Sequence, residues 1–185
     1  MSHDSRRHLL RSLTQQAHAE LDASIGGFDS AGDYAGYLKG QYVFRRAVEV
    51  GLAGVTWPAG FGDWRPRPLA PLLLADLEDL DLDPPSSTLP AIEMTPADLL
   101  GVLYVLEGSG LGARVLHRRA AEIGFDGRFG ARHLAAQAGD RESWPAFLAL
   151  LESAEPFDMG RTVSAALATF AAAGAAFERP LDAVG

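Results

Sequence analysis

Apolar residues recur at helical spacing along most of the chain. From about Ser5 to Ile25, the residues Leu10, Leu13, Ala17, Leu21 and Ile25 trace one stripe. Steps of three and four place such side chains on one face of a helix. A second helical stretch runs from about Asp33 to Leu52, with Tyr34, Tyr37, Leu38, Tyr42, Val48 and Leu52 among its apolar and aromatic positions. Leu69–Leu82 is leucine-rich and predicts a third. The fourth has a defined start, with Thr95 placed to cap, Pro96 at the first helical position and Asp98 adding negative charge in the first turn. It continues through LLGVLYVLEGSGLGARVLHRRAAEIG. Shorter patterns cover about Gly130–Ala138 and Arg141–Ser153, and the alanine-rich stretch Phe157–Phe177 favours helix strongly. No segment alternates as a half-buried strand does. The Pro/Gly-rich breaks at Gly54–Pro68 and Pro84–Pro96 read as loops, because the segments beside them are too short to bury a core alone. The pattern predicts one all-α domain over residues 1–185, a bundle of six to eight helices.

Gly108, Gly110 and Gly112 interrupt the fourth helix. A glycine inside a helix costs about 1 kcal/mol relative to alanine, so three in succession call for a reason. GSGLGA loosely fits a phosphate-binding turn, but that turn needs a strand before it, and the preceding pattern is helical. Close packing of two helices is a second reason. A flat ligand lying on exposed backbone is a third, since Gly101, Gly108 and Gly112 fall on one helical face.

Composition narrows the chemistry. With 48% apolar and 22% charged residues the chain is ordinary for a globular protein. It has no cysteine, which removes disulfides, thiolate metal sites, iron–sulfur ligation and cysteine nucleophiles. No run of about 18 uncharged apolar residues predicts a membrane span, and the first residues lack an apolar leader core, so a cytoplasmic location is expected. A net charge of −8 argues against nucleic acid as a partner. Basic residues nevertheless cluster at Arg6, Arg7 and Arg11 and again at Arg114, Arg118 and Arg119.

Of the five histidines, His3 and His8 lie near the N-terminus, and His117 and His133 adjoin arginines on faces expected to be exposed. His18 differs, because it sits at the edge of the apolar stripe near Arg11, Thr14 and Asp22. By itself such a histidine reads equally as a partly buried core residue. Asp22, one turn on, is placed to accept a hydrogen bond from one ring nitrogen, as partners of metal-bound histidines do. Arg11, two turns back, lies roughly 10 Å along the axis.

Three blocks resemble the haem oxygenase family, above all its bacterial, bacteriophytochrome-associated, biliverdin-producing branch. They are LRSLTQQAHAELD (residues 10–22), YLKGQYVF (37–44) and YVLEGSGLGARVL (104–116), of which the third is the most specific. Helix order and length agree over nearly the whole chain. The resemblance implies an all-α bundle with haem, both cofactor and substrate, sandwiched between a proximal helix and a glycine-rich distal helix. It implies that His18 ligates the iron, that Asp22 orients His18, and that Arg11 pairs with a propionate, with Thr14 beside them. It implies that Gly108 and Gly112 leave room for oxygen, that Phe170 walls the pocket and that Tyr42 belongs to the distal water network. Ser109 stands where animal members carry an aspartate, so a hydroxyl and waters would take over proton delivery. Arg132 and Arg141 are candidates for the rest of a propionate clamp. The implied reaction opens haem to biliverdin, carbon monoxide and ferrous iron, using O2 and electrons from a ferredoxin or flavodoxin and its reductase, with a bacteriophytochrome as acceptor of the product. A non-catalytic haem carrier or sensor is the alternative that Ser109 keeps open. A di-iron enzyme on a related bundle is disfavoured, since no Glu-x-x-His pair occurs.

Overall fold

The computed structural model describes residues 5–86 and 89–178. Its helices are α1 (Arg6–Ile25), α2 (Ala31–Gly54), α3 (Ala70–Asp79), α4 (Leu99–Glu122), α5 (Arg132–Gly139), α6 (Ser143–Ser153) and α7 (Met159–Glu178). Short 3-10 turns cover Ala59–Phe61 and Pro96–Asp98. Among the described residues there is no strand, only an isolated bridge between Asp126 and Gly130.

Local chemistry accounts for the helix ends. The Ser5 hydroxyl accepts from His8 N, and Ser30 does the same for Asp33 N, so α1 and α2 each start on a side-chain cap. α1 stops at Gly26, whose φ of 63° suits glycine. Thr95 and Asp98 form a reciprocal capping box ahead of α4. Asp98 also accepts two hydrogen bonds from Arg161 of α7, at 2.6 and 3.0 Å, which fastens the start of α4 to the start of α7. These Arg161 bonds are the main cause holding the Asp98 carboxyl down at about 2.

α7 is the central element. α4, α1 and α2 all pack along it, and its small residues Ala165, Ala166, Ala173 and Ala176 are buried there. A Cβ on Gly101 would run into the Thr162 carbonyl and Ala165, so this glycine permits close approach of α4 to α7. By length and apolarity Pro96–Glu122 would suffice to cross a membrane, but here it packs against α5, α6 and α7. One apolar cluster lies among α1, α2, α4, α6 and α7 around Leu10, Phe44, Leu103, Phe147 and Phe170. The other lies among α2, α3 and α5 around Tyr34, Leu38, Leu73, Leu77 and Leu134.

Two sequence expectations change. Leu13 is 55% exposed, and the buried stripe of α1 runs instead through Leu10, Thr14, Ala17 and Leu21. Thr14 tolerates burial because its hydroxyl bonds the Leu10 carbonyl at 2.8 Å. His133 is 1% exposed, not on an open face. Its Nδ1 lies 2.7 Å from Asp76 Oδ2, a fully buried carboxylate of α3.

Candidate functional site

α1 and α4 both lie against α7, yet no packed seam comparable to those with α7 joins them to each other. Each presents chemically distinct groups beside the gap. On α1, His18 holds Asp22 through Nδ1 at 3.0 Å, and both side chains are exposed, at 61% and 67%. That bond assigns Nδ1 as donor and leaves Nε2 as the lone-pair nitrogen. The His18 ring meets the edge of Phe170 on α7, with centroids 5.8 Å apart at 71°. Phe170 is buried, so it is a firm rest for the imidazole. Arg11, one face with His18, has no hydrogen-bond or ion-pair partner among the described residues and is exposed.

On α4, a Cβ on Gly112 would meet nothing within 4 Å, and one on Gly108 would meet only the Trp144 ring, at 3.8 Å. Beside these glycines Leu111 and Val115 are 61% and 46% exposed, an unusual state for large apolar side chains grouped on one helix. Trp144 of α6 spans the opening. It lies near Tyr104 of α4, with centroids 6.0 Å apart, and beneath the Arg7 guanidinium of α1, 5.9 Å from the ring centre.

The remaining expected residues are placed differently. Thr14 is buried with its hydroxyl committed, so it offers no free donor to a ligand. Ser109 turns away from the glycine face. Its oxygen accepts from Arg45 Nη2 at 2.8 Å and Gln137 Nε2 at 3.2 Å, and its proton goes to the Leu106 carbonyl at 2.7 Å. Tyr42 lies in a surface groove with Arg46, Val50, Pro71 and Leu74, between α2 and α3. The tyrosines on the inner face of α2 are Tyr34 and Tyr37, the nearer a little over one turn away. Arg132 is held by Asp76 and Asp79 and is no part of a propionate clamp. Arg141 borders a cavity lined by Glu107, Gly110 and Arg114 and also by Leu111 and Trp144, the residues beside the glycines. Arg6 binds the Leu151 and Ala154 carbonyls and Glu155, and it stacks on Phe157 4.0 Å away, so it fastens α1 to the end of α6.

Sequence reasoning missed Trp144 and Arg45. Trp144 opens a short helix with no periodic cue. Arg45 had one: it continues the inward positions Tyr34, Leu38 and Gln41, where an apolar residue is the expectation.

The arrangement suits a planar, largely apolar ring carrying a metal and acidic groups. An oriented imidazole stands on one helix, bare backbone with flanking aliphatic side chains on the other, and an unpaired arginine lies along the first. The protein is a helical bundle whose α1 and α4 flank a gap of the chemistry that haem requires. The comparisons agree. The haem oxygenase PigA of Pseudomonas aeruginosa is 32% identical over 163 residues, covering 82% of each chain. The solved NO- and CO-bound haem oxygenase of Neisseria meningitidis superposes with a TM-score of 0.76 at 26% identity, covering 97% of this chain and 95% of that one. No protein-family profile matches the sequence. The chain belongs to the haem oxygenase family.

Proposed function

We propose that the protein opens haem to biliverdin with loss of carbon monoxide and ferrous iron, and that His18 holds the iron from the α1 side. The observation that carries the reading is the His18 ring. One nitrogen is fixed by Asp22, the ring edge rests on Phe170, and the other nitrogen is free on a helix facing no packed neighbour at α4. Bound haem supplies both the iron that activates O2 and the ring that is oxidised. The protein's residues bind and orient it. Asp22 keeps His18 in the tautomer that presents Nε2. Arg11 pairs with a propionate. Gly108 and Gly112 admit a small diatomic molecule above the ring, while Leu111, Val115 and Trp144 exclude bulk water from its edge.

Hemin titration followed by reduction in air tests the whole reading, with bilin absorption as the product signal. Gly112→Leu is the sharper probe, because a Cβ there meets no protein atom within 4 Å and the helix can carry one without a clash. The variant should keep the parental melting temperature but lose most of its CO affinity and turnover. Parental CO affinity would show that α4 does not cover the reactive face.

Electrons come from outside, since the chain has no cysteine for a cluster. We assign docking of an acidic carrier such as ferredoxin or flavodoxin to Arg118 and Arg119, exposed on α4; Arg119 lies beside Gly27, at the opposite end of α1 from Arg7 and Arg11, which stand outside this patch. Arg6 is withdrawn as well, by its α6 contacts. Charge steering acts mainly on association rate and weakens as the Debye length falls from about 10 Å at 0.1 M salt to about 3 Å at 1 M. Ferredoxin-driven turnover should therefore fall with salt, ascorbate-driven turnover far less, and Arg118→Glu with Arg119→Glu should slow only the former. Equal salt profiles for the charge-reversed and parental proteins would refute this docking site. Delivery of biliverdin to a bacteriophytochrome and a cytoplasmic location belong to the same proposal; co-expression with an apo-phytochrome and cell fractionation test them.

A further inference from the structure

The sequence holds three tryptophans, and the fold brings all three onto one ladder of aromatic rings. Tyr104 of α4 lies 6.0 Å from Trp144 of α6, centroid to centroid, and Trp144 lies 5.7 Å from Phe147 on the same helix. Phe147 is 6.2 Å from Trp64, Trp64 is 6.4 Å from Phe61, and Phe61 is 5.4 Å from Trp57. The last three rings belong to the segment between α2 and α3. The inner end borders the α1–α4 gap, because the Trp144 ring stands 3.8 Å from where a Cβ on Gly108 would lie. The outer end is Trp57, half-buried under the guanidinium of the exposed Arg65, 4.4 Å from the ring centre. Core packing accounts for the buried phenylalanines of the ladder. It does not account for the gathering of every indole in half-buried places along one line, when indoles are among the side chains most easily oxidised in a chain without cysteine. The three indole N–H groups bond no protein atom among the described residues and are not buried, so each can pass a proton to water.

We propose that this ladder is a hole-transfer route that drains oxidising equivalents from the haem gap to the protein surface, and that it gives the protein a peroxide-reducing side activity that spares the site. The inference rests on the haem oxygenase reading of the α1–α4 gap. Hydrogen peroxide is the oxidant, reduced at the haem to two waters by two electrons. Each electron is drawn from Trp144, whose indole proton goes to water and leaves a neutral radical. Trp64 returns an electron to Trp144, which regains a proton, and Trp57 does the same for Trp64. Phe147 and Phe61 are too hard to oxidise and serve as the contacts between indoles, while Tyr104 extends the inner end onto α4. A one-electron reductant such as ascorbate restores Trp57. Two passes consume one peroxide and two ascorbates and yield two waters and two ascorbyl radicals. Arg7 and Arg65, 5.9 and 4.4 Å from the Trp144 and Trp57 ring centres, disfavour a charged indole radical and so favour the loss of its proton. The second aromatic group, around Tyr34 and Tyr37, is no competing outlet. No ring contact among the described residues joins it to the ladder, and the Tyr34 hydroxyl donates at 2.6 Å to the Gly130 carbonyl, which is no base for its proton.

The test uses the full chain, first without haem. Because the protein has no cysteine, Leu111→Cys offers a single attachment point, exposed beside the glycine face, for a ruthenium polypyridyl photo-oxidant. Flash-quench oxidation should give the transient absorption of a neutral indolyl radical. Peptide mass spectrometry after repeated flashes should find oxygenated Trp57. In the same labelled protein carrying Trp64→Phe, which keeps an aromatic ring in place, the Trp57 product should be lost and oxidation should collect at Trp144 and Tyr104. If that variant does not fold, Trp57→Phe reads the route from its outer end, with the product moving to Trp64. In the hemin complex, peroxide should give the same oxidised residues and a tryptophan radical in the electron paramagnetic resonance spectrum, suppressed by ascorbate. Trp64→Phe should bind hemin as the parent does and bleach more of it per peroxide added. Equal Trp57 oxidation in Trp64→Phe and parent, or oxidation confined to Trp144 in the parent, would overturn the proposal. Failure of the parent to bind hemin would instead overturn the site reading on which it rests, and the haem-free photo-oxidation tells the two failures apart.

Discussion

Replacing His18 with Ala is expected to leave the fold standing and to abolish haem turnover. The two halves of this result have separate physical causes. His18 and Asp22 are both mostly exposed, and an exposed ion pair contributes about 0–1 kcal/mol, so little of the fold depends on them. The contact with Phe170 is an edge contact against a ring that stays buried among its other neighbours. The melting temperature should therefore move by only a few degrees. Haem binding loses its one oriented imidazole, because the next histidine in the chain, His117, lies on α4 past the glycines, and His133 is buried against Asp76. The iron–histidine stretching band in the resonance Raman spectrum should disappear, and bilin formation should fall below detection. Asp22→Asn should be milder, with roughly a 10–100-fold loss of the kind seen when a partner of a ligating histidine is removed. A persisting iron–histidine band in His18→Ala would assign the ligand to another residue.

The helices were legible because their apolar spacing, caps and breaks all agree. The capping box at Thr95 and Asp98 and the alanine-rich final helix both stand where the pattern places them. Periodicity alone misplaced Leu13, since a stripe read in steps of three and four does not say which of two adjacent rows turns inward; the hydroxyl of Thr14, bonded to its own helix, let the polar residue take the buried row. The glycines of α4 were legible as a group but carry two functions. Gly101 allows α7 to approach, and Gly108 with Gly112 leaves open backbone, a division that depends on where α7 lies. The contact between His18 and Asp22 was readable because they are one helical turn apart. Arg45, Gln137 and Trp144 were not, because each acts across tertiary contacts with α4 that no local spacing encodes. Arg132 and Tyr42 failed for the complementary reason: their residue types suited the site, and their helices face elsewhere.

Asp76→Ala should be the most destabilising single change, although Asp76 is far in sequence from every residue proposed to touch haem. Its fully buried carboxylate accepts the backbone N–H groups of Arg132 and His133, at 2.8 and 3.0 Å, together with the His133 ring and the Arg132 guanidinium. α5 has only eight residues and no side-chain cap of its own, so this carboxylate from α3 serves as its N-terminal anchor. Truncation leaves the two backbone N–H groups and the His133 ring without their acceptor, at about 1–3 kcal/mol for each buried donor, while Arg132 keeps Asp79, so a total loss of about 3–5 kcal/mol is expected. For a chain of this size each kcal/mol lowers the melting temperature by roughly 2–4 °C, so a fall of about 6–20 °C is expected in calorimetry. The site should register it as well, because α5 carries Gln137 to Ser109. The same cluster sets an acid limit. Burial is the largest influence on His133 and lowers its pKa, Arg45 and His117 add to this, and Asp76 opposes it. His133 is thus neutral in the fold, while an unfolded histidine titrates near 6.5. The unfolded state takes up that proton first, so the contribution of His133 is complete above about pH 6.5 and declines as the pH falls below it. Urea unfolding between pH 5 and 8 should show stability dropping on the acid side, and His133→Phe should flatten the slope at the expense of overall stability. An Asp76→Ala protein that melts within about 2 °C of the parent, well under the loss a broken buried pair entails, would mean that α5 is held by its apolar contacts alone.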